Sequence, residues 1–198
     1  MKGSGERYRE STLKRIVDVV LAVAITAIVA VPCVVIAIAI KCTSRGPILY
    51  WSQRVGYRNR LFCMPKFRTM QVGTPALPTH LLDAPRSHLT PIGGVLRRSS
   101  FDEVPQLWSI LCGEMSFVGP RPALFNQDDL IALRTACCVH TLVPGLTGWA
   151  QINGRDDLPS SEKVRFDKEY LDRRSLRFDF AILWQTVIKV ATRDGVSH

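Results

Sequence analysis

Asp102 and Glu103 stand side by side in Ser-Ser-Phe-Asp-Glu-Val-Pro-Gln, residues 99–106, within a chain that is otherwise strongly basic. Adjacent carboxylates can do two kinds of work. At the start of a helix they satisfy free backbone N–H groups and complement the helix dipole. Beside cations they can attack phosphorus or hold a divalent metal. Pro105 is tolerated only in the first turn of a helix, so the spacing predicts a helix that begins near Ser100 to Asp102. Taken alone, the pair reads as a helix start.

The neighbouring residues supply the second use. Arg97 and Arg98 precede the acids, and Arg121 follows in Ser-Phe-Val-Gly-Pro-Arg-Pro, residues 116–122. Lys66 and Arg68 sit in Lys-Phe-Arg-Thr-Met, and Arg155 closes a glycine-rich stretch. Guanidinium groups clamp phosphate oxygens through paired hydrogen bonds, so the set suits a phosphorylated substrate. For any single arginine a solvated face or a structural ion pair is the commoner fate. It is the set that points to phosphate.

The elements that must position these groups begin with an apolar run. Ile16 to Ile40 is interrupted only by Asp18, Thr26 and Pro32. It is too long for a signal-peptide core and no small-residue cleavage pattern follows it. As a straight helix it would reach roughly 37 Å, enough to cross a hydrocarbon layer of roughly 30 Å. Two features favour a different path. Lys2, Arg7, Arg9, Lys14 and Arg15 precede the run while Lys41, Arg45, Arg54, Arg58 and Arg60 follow it, so the positive-inside bias names neither end as external. Pro32 also removes a backbone donor, and the limb before it reaches only about 24 Å. From these residues a simple crossing and a re-entrant helix that returns to the same face both remain open. Asp18 reads as an ion partner for Lys14 and Arg15, one turn away.

Charge agrees with a membrane surface. Lys and Arg total 26 against 17 Asp and Glu, a formal net charge of +9 over 198 residues. That surplus calls for an anionic partner: nucleic acid, anionic lipid or a phosphorylated small molecule. The apolar N-terminus fits the lipid surface and argues against nucleic acid. Six cysteines make no CxxC pair, which argues against a zinc site or a disulfide framework.

Further along, residues 46–70 predict a short hairpin around a Gly-Tyr-Arg-Asn turn, and residues 71–91, with four prolines, predict a mobile loop. Helices are expected over 100–112, within 122–140, and from about Ser160 to Arg174. In the last helix, about Phe178 to Thr192, Phe180, Leu183, Trp184 and Val187 share one side while Asp179, Gln185, Thr186 and Lys189 take the other. Its apolar side belongs either against a core or in a lipid interface. No internal repeat is present.

The ordered set Pro-Lys-Phe-Arg-Thr-Met (65–70), Leu-Thr-Pro-Ile-Gly-Gly-Val-Leu-Arg-Arg-Ser-Ser-Phe-Asp-Glu-Val-Pro-Gln continuing to Gly-Pro-Arg-Pro (89–122), and Pro-Gly-Leu-Thr-Gly-Trp-Ala-Gln-Ile-Asn-Gly-Arg (144–155) closely resembles the bacterial sugar transferase family, in its short, minimal, monotopic form. Gly46-Pro47 and Gln53-Arg54-Val-Gly56 also fit, so the resemblance runs from about residue 12 to 192. It implies transfer of a sugar 1-phosphate from a UDP-sugar to undecaprenyl phosphate, with release of UMP. The product is an undecaprenyl-diphosphate sugar, the first membrane intermediate of surface glycan assembly.

The resemblance further implies Asp102 as nucleophile and Mg²⁺ ligand, forming a covalent phosphosugar intermediate, with Glu103 helping to deprotonate or position the acceptor. It implies Arg97 and Arg121 as phosphate binders, Lys66 and Arg68 as a basic motif near the site, and Arg155 as a further substrate contact. The fold it implies is α+β and mostly helical. Residues 1–45 would form a re-entrant membrane helix broken near Pro32, and 46–198 a small cytosolic catalytic domain with interfacial amphipathic helices. The chain would then lie on the cytoplasmic face of the bacterial inner membrane, with membrane lipids as partners and a homodimer compatible with the rest. Phe101 departs from the leucine usual before the acids, and loop 71–88 has no counterpart in the motifs. The competing reading is a non-catalytic membrane-surface protein that binds anionic lipid or nucleotide.

Overall fold

The computed structural model describes residues 12–75, 85–154 and 158–192. It is mostly helical with two small sheets. One helix, α1 (Thr12–Thr43), contains the whole apolar run, and among the described residues it alone is long and apolar enough to cross a membrane. Helical backbone continues through Pro32, so the proline is accommodated within one element instead of separating two.

The two ends of α1 dock on the same folded body. Near its start, Ala22 is fully buried in a core built from Ile110, Met115, Phe117, Val139, Tyr170 and Ile182. Near its end, Ile40 is fully buried against Phe67 and Leu96. Between them one stripe, Ile25, Val29, Cys33 and Ile36, is half-buried against the same two clusters, while the opposite face is bare: Ile28 is 76% exposed and Val31 is 73% exposed. A contiguous exposed aliphatic surface of this kind marks contact with lipid or with another apolar partner. Asp18 is not paired with the cations beside it. Its carboxylate accepts the Phe117 backbone N–H at 3.3 Å, while Arg15 donates to the carbonyls of Ile110 and Leu111. Burial among backbone groups leaves these side chains long-range partners in place of a solvated i, i+4 pair.

The expected hairpin forms from β1 (Leu49–Val55) and β2 (Leu61–Phe67), with Val55 opposite Leu61 and Leu49 opposite Phe67. Arg58 and Asn59 make its turn in the left-handed region, at φ 53° and 59°. A short strand β4 (Ala123–Leu124) adds to the other edge of β1, whereas β3 (Ser116–Val118) pairs in parallel with β5 (Gly145–Thr147). Helices α2 (Gly93–Arg98), α3 (Leu107–Cys112), α4 (Asp128–Ala136), α5 (Trp149–Ile152), α6 (Ser160–Arg173) and α7 (Leu176–Thr192) complete the body. All six cysteines are free. Residues 76–84 of the proline-rich loop lie outside the described residues.

Helix α7 settles which side of the last amphipathic helix faces the protein. Three of its polar residues turn inward, while Gln185 is exposed: Asp179 is buried, Thr186 Oγ1 lies 2.7 Å from Thr147 Oγ1, and Lys189 donates to the Ile152 carbonyl. Ile182 is fully buried and Leu183 half-buried, but Phe180, Trp184 and Val187 are 52%, 68% and 62% exposed. The apolar side of this helix therefore faces outward.

Candidate active site

Both carboxylates lie in a 3-10 segment, Phe101–Gln106, that leads directly into α3. Ser100 reverses the chain after α2 with a left-handed φ of 58° and makes no side-chain capping bond. The segment starts where the sequence placed a helix, with Pro105 inside it. Its acids serve something other than backbone capping, because Glu103 is drawn sideways to two cations. Lys66 Nζ, from β2, lies 2.8 Å from Glu103 Oε1, and Arg121 Nη2, from the loop after β3, lies 2.7 Å from the same oxygen. A chain separation of 37 residues on one side and 18 on the other is closed at a single atom.

The pair is electrostatically unequal. Asp102 is 8% exposed and makes no hydrogen bond or ion pair among the described residues. Burial pushes its carboxyl up and the Glu103 charge adds to this, while Lys66, Arg97 and Arg121 pull it back; the outcome is a pKa raised from 3.8 to about 6. Burial acts on Glu103 in the same direction. There the Arg121 and Lys66 charges and their two hydrogen bonds win, holding Glu103 well below the usual carboxylate range. Glu103 stays ionised and stores the cations. Asp102 is the more basic and less solvated of the two, which suits attack on an electrophile.

Of the other residues singled out by sequence, Arg97 comes near: its charge acts on Asp102, and its Nε donates to Thr69 Oγ1 at 3.1 Å. Arg68 is held elsewhere. It is 5% exposed, with Nε on the Pro47 carbonyl at 2.6 Å and Nη2 on the Ser44 carbonyl and hydroxyl at 3.1 and 2.9 Å. The structure thus places Arg68 as a tie between the end of β2 and the exit of α1. Arg155 lies outside the described residues.

Three further residues brace the site; Arg134 and Asp167 carry no signal in the sequence, and Arg54 falls within the Gln53 to Gly56 element. Arg134, on α4, donates Nη1 to the Arg121 carbonyl at 2.8 Å and pairs with Asp167 on α6 at 2.7 Å. Arg54, on β1, donates to the Pro122 carbonyl at 3.2 Å. Consecutive carbonyls of the loop that presents Arg121 are therefore held by half-buried cations. Glycines let that loop interlock with the next motif. A Cβ on Gly145 would sit 2.1 Å from Gly119 N, and one on Gly148 would sit 2.1 Å from Gly119 O. Only backbone fits between Gly-Pro-Arg-Pro and Gly-Leu-Thr-Gly.

The family model described as bacterial sugar transferase matches residues 9–193. The chain belongs to the bacterial sugar transferase family. This is a family of enzymes, and curated relatives align along nearly all of the chain. A UDP-glucose:undecaprenyl-phosphate glucose-1-phosphate transferase of Escherichia coli (strain K12) is 38% identical over 186 residues, covering 89% of this chain and 40% of its own length. An undecaprenyl-phosphate galactose phosphotransferase of Salmonella typhimurium is 34% identical, covering 92% of this chain and 41% of its own length. An uncharacterized sugar transferase, EpsL, of Bacillus subtilis (strain 168) is 35% identical, covering 94% of this chain and 91% of its own. The chain thus spans about two fifths of the first two relatives and nearly all of the third. The dyad, Lys66, Arg121 and the interlocked glycines all fall inside the region matched to the sugar transferase family.

Proposed function

We propose that this chain transfers a sugar 1-phosphate from a UDP-sugar to undecaprenyl phosphate, in two displacements at one phosphorus. The observation that carries this reading is the unequal dyad: a buried, basic Asp102 beside a Glu103 that holds two cations in place. In the first displacement an Asp102 carboxylate oxygen attacks the β-phosphorus. The bond to the bridging oxygen breaks, and UMP leaves with that electron pair. In the second, a phosphate oxygen of the lipid attacks the same phosphorus. The acyl phosphate breaks, Asp102 regains its carboxylate, and the sugar leaves on a polyprenyl diphosphate. Splitting the transfer suits two substrates that arrive from water and from lipid.

Glu103 acts in this scheme by position. An acid held that far below its ordinary range is a poor base, so its work is to fix Lys66 and Arg121 where phosphoryl charge develops. Arg97 adds a further positive charge near Asp102. Mg²⁺ fits the donor set. Magnesium is commonly held by one or two carboxylates together with substrate phosphates, and Asp102 offers one uncommitted carboxylate. Bound there, the ion would neutralise diphosphate charge. Among the described residues no cluster of three or more acidic, His or Cys side chains offers a site independent of substrate.

The membrane arrangement follows from two outward apolar surfaces. Both ends of α1 dock on one body while its outward face is exposed, so a bend at Pro32 would carry that face into a bilayer and bring the chain back to the same side. The outer side of α7 would lie in the headgroup region. On this reading residues 1–45 are the re-entrant anchor and 46–198 the catalytic domain, on the cytoplasmic face of the inner membrane. In vesicles of brominated-chain lipids, Trp184→Phe should remove a large share of the tryptophan quenching seen with the parent. Unchanged quenching would place this helix in water.

The relatives' names divide between glucose and galactose, so the sugar is to be found by experiment. Membranes containing the chain, supplied with undecaprenyl phosphate and Mg²⁺, should release UMP from one member of a UDP-sugar panel, and chelation with EDTA should stop it. A chain that binds vesicles and nucleotide but releases no UMP from any donor would be the non-catalytic binder instead.

A further inference from the structure

Lys14 and Asp179 form a buried ion pair, Nζ to Oδ2 at 2.6 Å, with side chains 14% and 6% exposed. Lys14 belongs to the start of the apolar helix α1, and Asp179 to the inward side of α7, 165 residues away. Tyr170 of α6, 2% exposed, completes the cluster: its hydroxyl lies 2.7 Å from Asp179 Oδ1 and 3.2 Å from the Val118 carbonyl. A hydroxyl carries one proton, and the carboxylate is the closer and stronger acceptor. Lys14 also reaches the Val118 carbonyl, at 3.4 Å. One turn further along α1, Asp18 accepts the N–H of Phe117. Two side chains of the membrane helix therefore grip successive residues of β3.

The placement of β3 gives this grip its meaning. Three residues after Val118 the loop that follows β3 delivers Arg121, the cation on Glu103. The loop has two separate sets of fastenings. Arg54, Arg134 and the interlocked glycines attach it to the catalytic body. Lys14 and Asp18 tie the strand before it to α1, and Tyr170 of α6 and Lys14 link that strand to Asp179 of α7, so the second set leads to the two helices with exposed apolar faces.

We propose that the Lys14–Asp179–Tyr170 cluster is a positioning device that sets the height of the catalytic loop relative to the lipid surface, so that it governs the step with the lipid acceptor and not the step with the soluble donor. This rests on the two-displacement reading above. A phosphate in the headgroup layer must meet an acyl phosphate whose position along the membrane normal is fixed by the protein. A displacement of about 1 Å at a reacting centre can cost about a hundredfold in rate. The nucleotide sugar approaches from water and needs no such registration.

The test compares the two half-reactions in one preparation. Donor-only incubation gives a UMP burst that counts competent sites; adding undecaprenyl phosphate gives turnover. In Asp179→Asn and Lys14→Met, turnover per burst site should fall about tenfold or more, while the burst rate stays near that of the parent. Tyr170→Phe, which removes one hydroxyl and no charge, should show a smaller fall of the same kind and covers the case in which the charge variants fold poorly. Arg134→Gln, which loosens the other set of fastenings, should slow the burst itself. Equal losses in both half-reactions, or unchanged turnover per burst site in all three cluster variants, would overturn the proposal. A parent chain that gives no burst but does turn over would instead overturn the two-displacement reading, and this proposal with it.

Discussion

Asp102→Asn should abolish UMP release, by about a thousandfold or more, and at the same time make the folded protein more stable near neutral pH. The two effects have one cause. In the folded chain burial raises the Asp102 carboxyl from 3.8 to about 6. Between those values the folded state keeps a proton that the unfolded chain has released, so stability falls as pH rises from about 4 to about 6 and remains lower above. At about 1.4 kcal/mol per pH unit this is worth at most about 3 kcal/mol. Asparagine removes the cost and the nucleophile together. Thermal unfolding in detergent at two pH values tests it: the variant's advantage should shrink as pH is lowered towards 4. A variant that is inactive and also less stable at neutral pH would point to a structural role for Asp102. The donor half-reaction of the parent should also weaken as pH falls through about 6, as the carboxylate takes up its proton.

Glu103→Gln should act in the opposite direction on stability. Although burial opposes its ionisation, Arg121 and Lys66 hold Glu103 below its ordinary 4.5, so its stabilisation is complete above that value and is lost only in stronger acid. Near neutral pH the neutral amide removes the charge that Glu103 sets against two half-buried cations, at a cost of about 3 kcal/mol. Activity should fall about a hundredfold as Lys66 and Arg121 lose their fixed positions. A more specific signature follows from the sharing of charge. With Glu103 neutral, the like charge beside Asp102 is gone and both cations can act on it. The acid limb of the pH–rate profile should therefore move below the parent's value of about 6. An unmoved limb would mean that the dyad is not electrostatically coupled as described.

Stability and chemistry are thus divided between two neighbouring acids, and the division depends on which of them the cations reach. In sequence they are equivalent. Nothing in Phe-Asp-Glu-Val says that Lys66 and Arg121 will meet on one oxygen of Glu103 and leave Asp102 with no hydrogen bond among the described residues.

What could be read from the chain alone was whatever depends on local chemistry. The hairpin turn was visible in Gly56 to Asn59 because few residue types accept such a turn, and the start of the dyad segment was visible because Pro105 permits only a first-turn position. The long apolar helix was visible in its composition. Long-range partnership was not legible. Arg68 shares a motif with Lys66 yet is drawn to Ser44 and Pro47, because the chain leaving α1 brings acceptors to it. Arg134 and Asp167 lie on different helices and show no pattern that pairs them. Asp18 read as a local ion partner because its true acceptor role is to a backbone N–H 99 residues away. The last helix was amphipathic in either reading. Only packing tells which side is inward, and here Asp179, Thr186 and Lys189 take the inside.

The central claim is that Asp102 becomes covalently attached to the sugar phosphate. Intact-mass measurement of the chain incubated with its UDP-sugar and Mg²⁺, without lipid acceptor and quenched in acid, addresses it directly. The parent should gain the mass of one sugar phosphate, mapped by peptide analysis to Asp102, and should lose it when undecaprenyl phosphate is added. Asp102→Asn should gain nothing. UMP release by the parent with no adduct at any time, or an adduct that persists in Asp102→Asn, would contradict the account.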